Sequence, residues 1–249
     1  MEIHVPIQPA PLFDFVVPGT NLVVYVTNTM VTSWIVMLLL IGFGIAATRG
    51  MKLAPSGLQN AAETIIELLL GLAEQVAGSR ARSFLPLVAT LFLYIWFSNW
   101  FGILPGVGSF QGLVHGEEAS VLRSPNSDLS LTAAMALIVF AWVQIAGLRA
   151  NPVEFFVKFL KNPLELVSEF SRPVSLALRL FGNILAGGIL VEVMLQIAPI
   201  AVPAVFLGLE MFVGLVQALI FAILTLAFLS LATEHGHSES HAETEHAAH

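Results

Sequence analysis

The 249-residue chain is 57% hydrophobic and only 11% charged, against about 25% charged in an ordinary soluble domain, which excludes a water-facing globule. Its formal net charge of -7 argues against nucleic acid as a partner. With no cysteine anywhere in the sequence, a disulfide framework, a thiolate nucleophile and a Cys-based metal site are excluded as well.

The opening residues, MEIHVPIQPAPLF, lack the basic start and apolar stretch of a cleavable signal peptide, so insertion is expected to rest on internal helices. A hydrocarbon core of ~30 Å takes roughly 20 apolar residues per helical crossing. Met30–Ala47 is the first run of that kind free of Asp, Glu, Lys and Arg. Next, Asn60, Glu63, Glu67, Gly71 and Glu74 recur at helical spacing among Leu, Ile and Ala, the pattern of an amphipathic helix lying at the inner membrane surface. Phe84–Val114 is the second uncharged run, and Gly106, Gly108, Gly112, Gly116 and Pro125 make Pro105–Asp128 an irregular outer connection. Leu129–Leu148 is the third run. A second amphipathic stripe, Glu154, Lys158, Lys161, Glu165, Glu169 and Arg172, is interrupted at Asn162 and Pro163 and leads into the next membrane segment. Pro199 and Pro203 divide the remaining apolar stretch, Val193–Leu209 and Met211–Thr233, into two helices joined by a tight turn. The tail, EHGHSESHAETEHAAH, is polar and of low complexity, expected as a solvated, disordered segment in preference to a metal site.

The expected fold is therefore an all-α polytopic membrane protein forming one membrane domain over residues 1–249. Residues 1–21 are an outer-side segment, 22–232 a bundle of about five transmembrane helices with amphipathic surface helices, and 233–249 the tail. The last two helices form a long tilted hairpin. Lys and Arg in short loops accumulate on the cytoplasmic side. Arg49, Lys52, Arg80, Arg82, Arg149, Lys158, Lys161 and Arg172 fall on one side and Arg123 on the other, which puts the amino terminus outside and the carboxyl terminus in the cytoplasm.

Arg179 alone lies inside an apolar run. An arginine near the centre of a spanning helix costs about 2.5 to 3.5 kcal/mol on insertion scales. Snorkelling is the competing reading, since Arg179 is roughly 10 Å deeper than Arg172. The neighbours Ser175, Gly182, Asn183 and Ala186 are small or polar and share one face, which admits a partner helix closely and exposes the guanidinium to it. Counted from the turn near Ile200, Glu192 and Glu210 lie at similar depth, with Asn183 opposite Ala218. Glu210, Gly214 and Gln217 share a face. On the inner side Glu165, Arg172 and Arg179 repeat every seven residues, and Glu165 is roughly 21 Å from Arg179 along the axis if the helix runs through Pro173.

The run SRPVSLALRLFGNILAG, from Ser171 to Gly187, closely resembles the signature of subunit a of F-type ATP synthases. PLVATLFLYIWFSNWFGILPG from Pro86, PNSDLSLTAAMAL from Pro125 and LVQALIFAILTLAFLSLA from Leu215 resemble the same family. The resemblance implies that Arg179 is the stator arginine facing a rotating ring of c subunits, with Asn183 and Gln217 its polar neighbours. It implies further that Asp128 and Glu165 belong to the outer and inner proton half-channels. Some bacterial members carry a glutamate nine residues after the arginine and a histidine on the last helix; here those positions are Gly188 and Glu210, which leaves Glu210 and Glu192 as the outer-channel carboxylates. Implied partners are the c ring, peripheral-stalk b-type subunits, the remaining ATP synthase subunits and the lipid of a bacterial inner membrane.

The alternative is a secondary transporter with an anionic substrate on Arg179, which is expected to show internal repeats; none is visible. His4, His115 and the tail histidines all lie outside the spanning runs, which excludes a buried Ser–His pair or HExxH site. No phosphate-cradling glycine loop occurs, so no cofactor is expected and nucleotide is expected to bind other subunits.

Overall fold

The protein is described here by a computed structural model covering residues 10–16, 23–52, 57–104, 111–114, 117–120, 122–152, 155, 163–197 and 201–234. In lipid each backbone N–H and C=O must be satisfied within the protein, and the uncharged runs do so as helices. α1 spans Asn28–Thr48, α2 Leu58–Ala77, α3 Ala81–Ile103, α4 Leu129–Ala150, α5 Pro163–Ile197 and α6 Ala201–Glu234. Among the described residues five stretches are long and apolar enough to cross a membrane, one of them the α2–α3 stretch Leu58–Ile103. The all-α polytopic expectation holds, and α5 does continue through Pro173.

The sequence reading needs correction at the connections. The uncharged run from Phe84 stops being helical at Ile103, and Gln111–Val114 (β3) pairs antiparallel with Glu117–Ser120 (β4). Part of the connection read as irregular is thus a small hairpin. Pro11–Val16 (β1) likewise pairs with Val23–Thr27 (β2), with a register shift between Pro11 and Phe13. β2 runs straight into α1, whose first turn is capped by the Thr27 hydroxyl accepting from the Met30 N–H at 3.4 Å. The stripe positions Glu154, Lys158 and Lys161, and the tail beyond Glu234, lie outside the described residues.

Side-chain size decides how the helices meet. Without a hydrophobic drive between helices in lipid, close approach through small residues supplies the packing. Ala73, Ala81, Ala218 and Ala222 are buried, interleaved with Ile95, Leu180, Phe221, Leu226 and Leu229. Cross-links fix which ends coincide. Arg80 Nη1 donates to Thr233 Oγ1 at 2.8 Å, joining the start of α3 to the end of α6. A Cβ on Gly147 would touch Ala232, so α4 ends there too. At the other end Gly102 of α3 lies directly against Ser124, just ahead of α4. The bundle therefore has a basic end, with Arg49, Arg80 and Arg149, and an opposite end where α1 and α4 begin.

Candidate functional site

Arg179 is exposed, and its guanidinium has no hydrogen bond or ion pair among the described residues. Ser171, Ser175, Gly182 and Ala186 are exposed on the same side at steps of three or four residues. Nothing lies within 4 Å of where a Cβ on Gly182 would stand. The arginine thus projects from a strip of short side chains that the chain's own described helices leave uncovered. Asn183, the expected polar neighbour, is partly buried at the edge of that strip.

Glu210 of α6 is the carboxylate that the hairpin brings to α5. A Cβ on Gly187 would stand 2.9 Å from its Oε1 and 3.2 Å from its Cγ, so the absent side chain at 187 is what admits Glu210. Eight residues separate Gly187 from Arg179 and Glu210 from Ala218, so this contact sets Arg179 level with Ala218. Asn183 is then level with Gly214, about one turn from the alignment counted from the Ile200 turn. Glu192 lies near the far end of α5 and Glu165 in its first turn; both side chains lie outside the described residues.

A buried polar file lies between α3, α4 and α6. Asn99 Nδ2 donates to the Gly214 carbonyl at 2.9 Å, and Asn126 Nδ2 donates to Asn99 Oδ1 at 2.6 Å. Trp100 Nε1 donates to the Met211 carbonyl at 3.0 Å. A Cβ on Gly214 would stand 3.0 Å from Asn99 Cβ, so glycine at 214 is what lets the amide reach the α6 backbone. The expected face of Glu210, Gly214 and Gln217 is therefore wedged between α5 and α3. Gln217 is buried, and among the described residues its Nε2 finds no acceptor and Asn126 Oδ1 no donor.

Asp128, expected in the outer path, has structural work. Its Oδ1 accepts from the Ser130 N–H at 2.8 Å as the cap of α4, and its Oδ2 accepts from Thr29 Oγ1 at 3.0 Å. It ties α1 to α4 beside Asn126, at one end of the file. Sequence reasoning did not single out Asn99, Asn126 or Trp100. Asn99 and Trp100 offered a weak signal, as polar groups inside the uncharged run from Phe84; Asn126 offered none, since it sits among Ser124, Ser127 and Asp128.

The sequence profile of the ATP synthase A chain family matches residues 30–230. The chain belongs to this family. It is 39% identical over 219 residues to the ATP synthase subunit a of Gloeobacter violaceus, a match covering 86% of each chain. As an ATP synthase A chain it is a multi-pass membrane subunit of that complex and works with its other subunits.

The basic end of this ATP synthase A chain holds one more buried charge, Glu169, which the sequence placed only in an amphipathic stripe. Its side chain is 7% exposed and pairs with Arg172 at 2.9 Å. Gln144 of α4 donates to its other oxygen at 3.3 Å.

Proposed function

We propose that this chain is the stator of the proton motor, providing two offset half-channels that meet at Arg179 on the face turned to the rotating c ring. The observation that carries the reading is Arg179 itself, an exposed arginine without a partner among the described residues, on a strip of small residues in an apolar helix. The basic end faces the cytoplasm, in keeping with the accumulation of Lys and Arg in inner loops. The outer path runs past Asp128, Asn126 and Asn99 toward Glu210, Gln217 and Asn183, with Glu192 as a second carboxylate. The inner path begins near Glu165.

The mechanism is electrostatic. A ring carboxylate can face lipid only when neutral, because an isolated buried charge is prohibitive. Beside Arg179 the ionised form is favoured, so the carboxylate gives up its proton to one half-channel and is reloaded from the other. Buried amides with unused hydrogen-bonding capacity, such as Asn126 and Gln217, suit a path that must carry protons without holding a fixed charge. A second carboxylate on the stator, Glu210, suits the step that hands the proton over.

Arg179→Ala should leave the subunit inserted and assembled, because removing a charge from a spanning helix lowers the insertion cost, while ATP synthesis driven by a proton gradient vanishes. Passive proton leak should persist or rise, since nothing then separates the two half-channels. Arg179→Lys should also fail severely: lysine keeps the charge but lacks the planar fork and loses its proton more readily when buried. The measurements are gradient-driven synthesis and passive proton flux in membrane vesicles, with assembly checked in parallel. Near-normal synthesis in Arg179→Ala would mean that the side chain merely snorkels.

A further inference from the structure

Glu169 and Arg172 sit about three and about two turns before Arg179, where α4, α5 and α6 meet. Pro173 has no N–H to offer the Glu169 carbonyl, so α5 lacks one helical bond at this point. Arg172 Nη1 donates to Glu169 Oε1 at 2.9 Å, Gln144 Nε2 donates to Oε2 at 3.3 Å, and the Arg172 guanidinium carbon lies 5.0 Å from the centre of the Phe228 ring. A cavity of about 10 Å³ opens beside the pair, lined also by Val139, Phe140 and Leu176, room for about one water. A buried ion pair adds little net stability, because desolvation offsets much of its Coulomb gain. Its value has to lie in where it puts the charge.

α5 carries two cations, Arg172 and Arg179. They are seven residues apart, about 10 Å of rise and nearly two full turns, so they lie toward the same side of the helix. Resting on the functional reading above, we propose that Glu169 is a positioning residue that neutralises Arg172 and holds it on Phe228, leaving Arg179 as the sole uncompensated cation of α5 for a ring carboxylate to meet. Two unit charges about 10 Å apart, at an effective dielectric near 20, change each other's equilibria by roughly tenfold. Without Glu169, Arg172 becomes a competing resting place for the ionised ring carboxylate on the inner side of Arg179. The ring then pauses off register, and turnover falls although the barrier to leak is intact.

The test is gradient-driven ATP synthesis per assembled complex in membrane vesicles carrying Glu169→Gln, Glu169→Asp and Glu169→Gln with Arg172→Gln. Glu169→Gln, which keeps shape but not charge, should lower synthesis about tenfold by the same Coulomb estimate, with no rise in passive proton leak. Glu169→Asp should stay near the parent, and the double variant should recover most of the loss. A role in shape or hydrogen bonding alone predicts the opposite order, with Glu169→Gln milder than Glu169→Asp. Parental synthesis in Glu169→Gln, or a double variant no better than it, overturns the proposal. Arg179→Ala run alongside separates the two readings: synthesis that survives there defeats the stator function itself, whatever the Glu169 variants do.

Discussion

The missing side chain at Gly187 is what lets the Glu210 carboxylate reach α5, so closely that a methyl group there would touch its Oε1. Glu63 is the control: it lies partly exposed on α2 and accepts from Gln59 Nε2 at 2.8 Å within its own helix. Glu210→Gln should slow gradient-driven synthesis on the order of tenfold. That is short of the roughly hundredfold typical of a lone proton-transfer group, because Glu192 remains as a second carboxylate in the hairpin. Glu63→Gln should leave the rate unchanged, and equal effects at the two positions would remove Glu210 from the path. What the sequence disclosed at this scale follows from free energy. Arg179 stood out because a charge in an apolar run must be explained. Asn99 passed unnoticed because an amide in such a run costs far less than a charge, and its role becomes legible only when its partner, a glycine carbonyl 115 positions away, is known.

Helix boundaries reveal a similar division. The long uncharged runs announced α1, α3, α4 and α6, since length and absence of charge are sufficient signals for a spanning helix. The hairpins β1–β2 and β3–β4 were missed because strands of four to six residues among glycines and prolines carry too few alternating positions to be read. Packing between elements was illegible too, and two glycines illustrate it. At Gly102 of α3 a Cβ would overlap the Ser124 side chain and stand 2.9 Å from its Cα; backbone cannot swing aside. Gly102→Ala should therefore lower thermal stability of the assembled complex by about 1–3 kcal/mol, the usual cost of overpacking. At Gly187 the obstruction is the mobile tip of Glu210. Gly187→Ala should assemble at the parental level and keep its melting midpoint, yet lose synthesis to an extent similar to Glu210→Gln. If both variants lost stability alike, the contact between α5 and Glu210 would be a packing feature and nothing more.

For the whole molecule, orientation decides which of the two proposed half-channels opens on which side, and the bundle offers a direct measurement of it. Five crossings, the number of stretches among the described residues long and apolar enough to span a membrane, would put the two ends of the bundle on opposite sides. The basic end joins Arg80 to Thr233, while the opposite end gathers Thr29, Asp128 and Ser124. Because the sequence has no cysteine, a single introduced thiol reports on its own position without background. Ser79, in the turn between α2 and α3, and Ser130, in the first turn of α4, are both exposed. Neither side chain contributes a hydrogen bond to the polar file, so cysteine should be tolerated at each. With the basic end in the cytoplasm, Ser130→Cys should react with a membrane-impermeant thiol reagent added to intact cells, whereas Ser79→Cys should react only in inverted vesicles. Labelling in the reverse sense would exchange the outer and inner paths, turning Asn126, Asn99 and Glu210 into the cytoplasmic route. It would leave Arg179 where it is, because a charge that divides two half-channels serves equally well from either side.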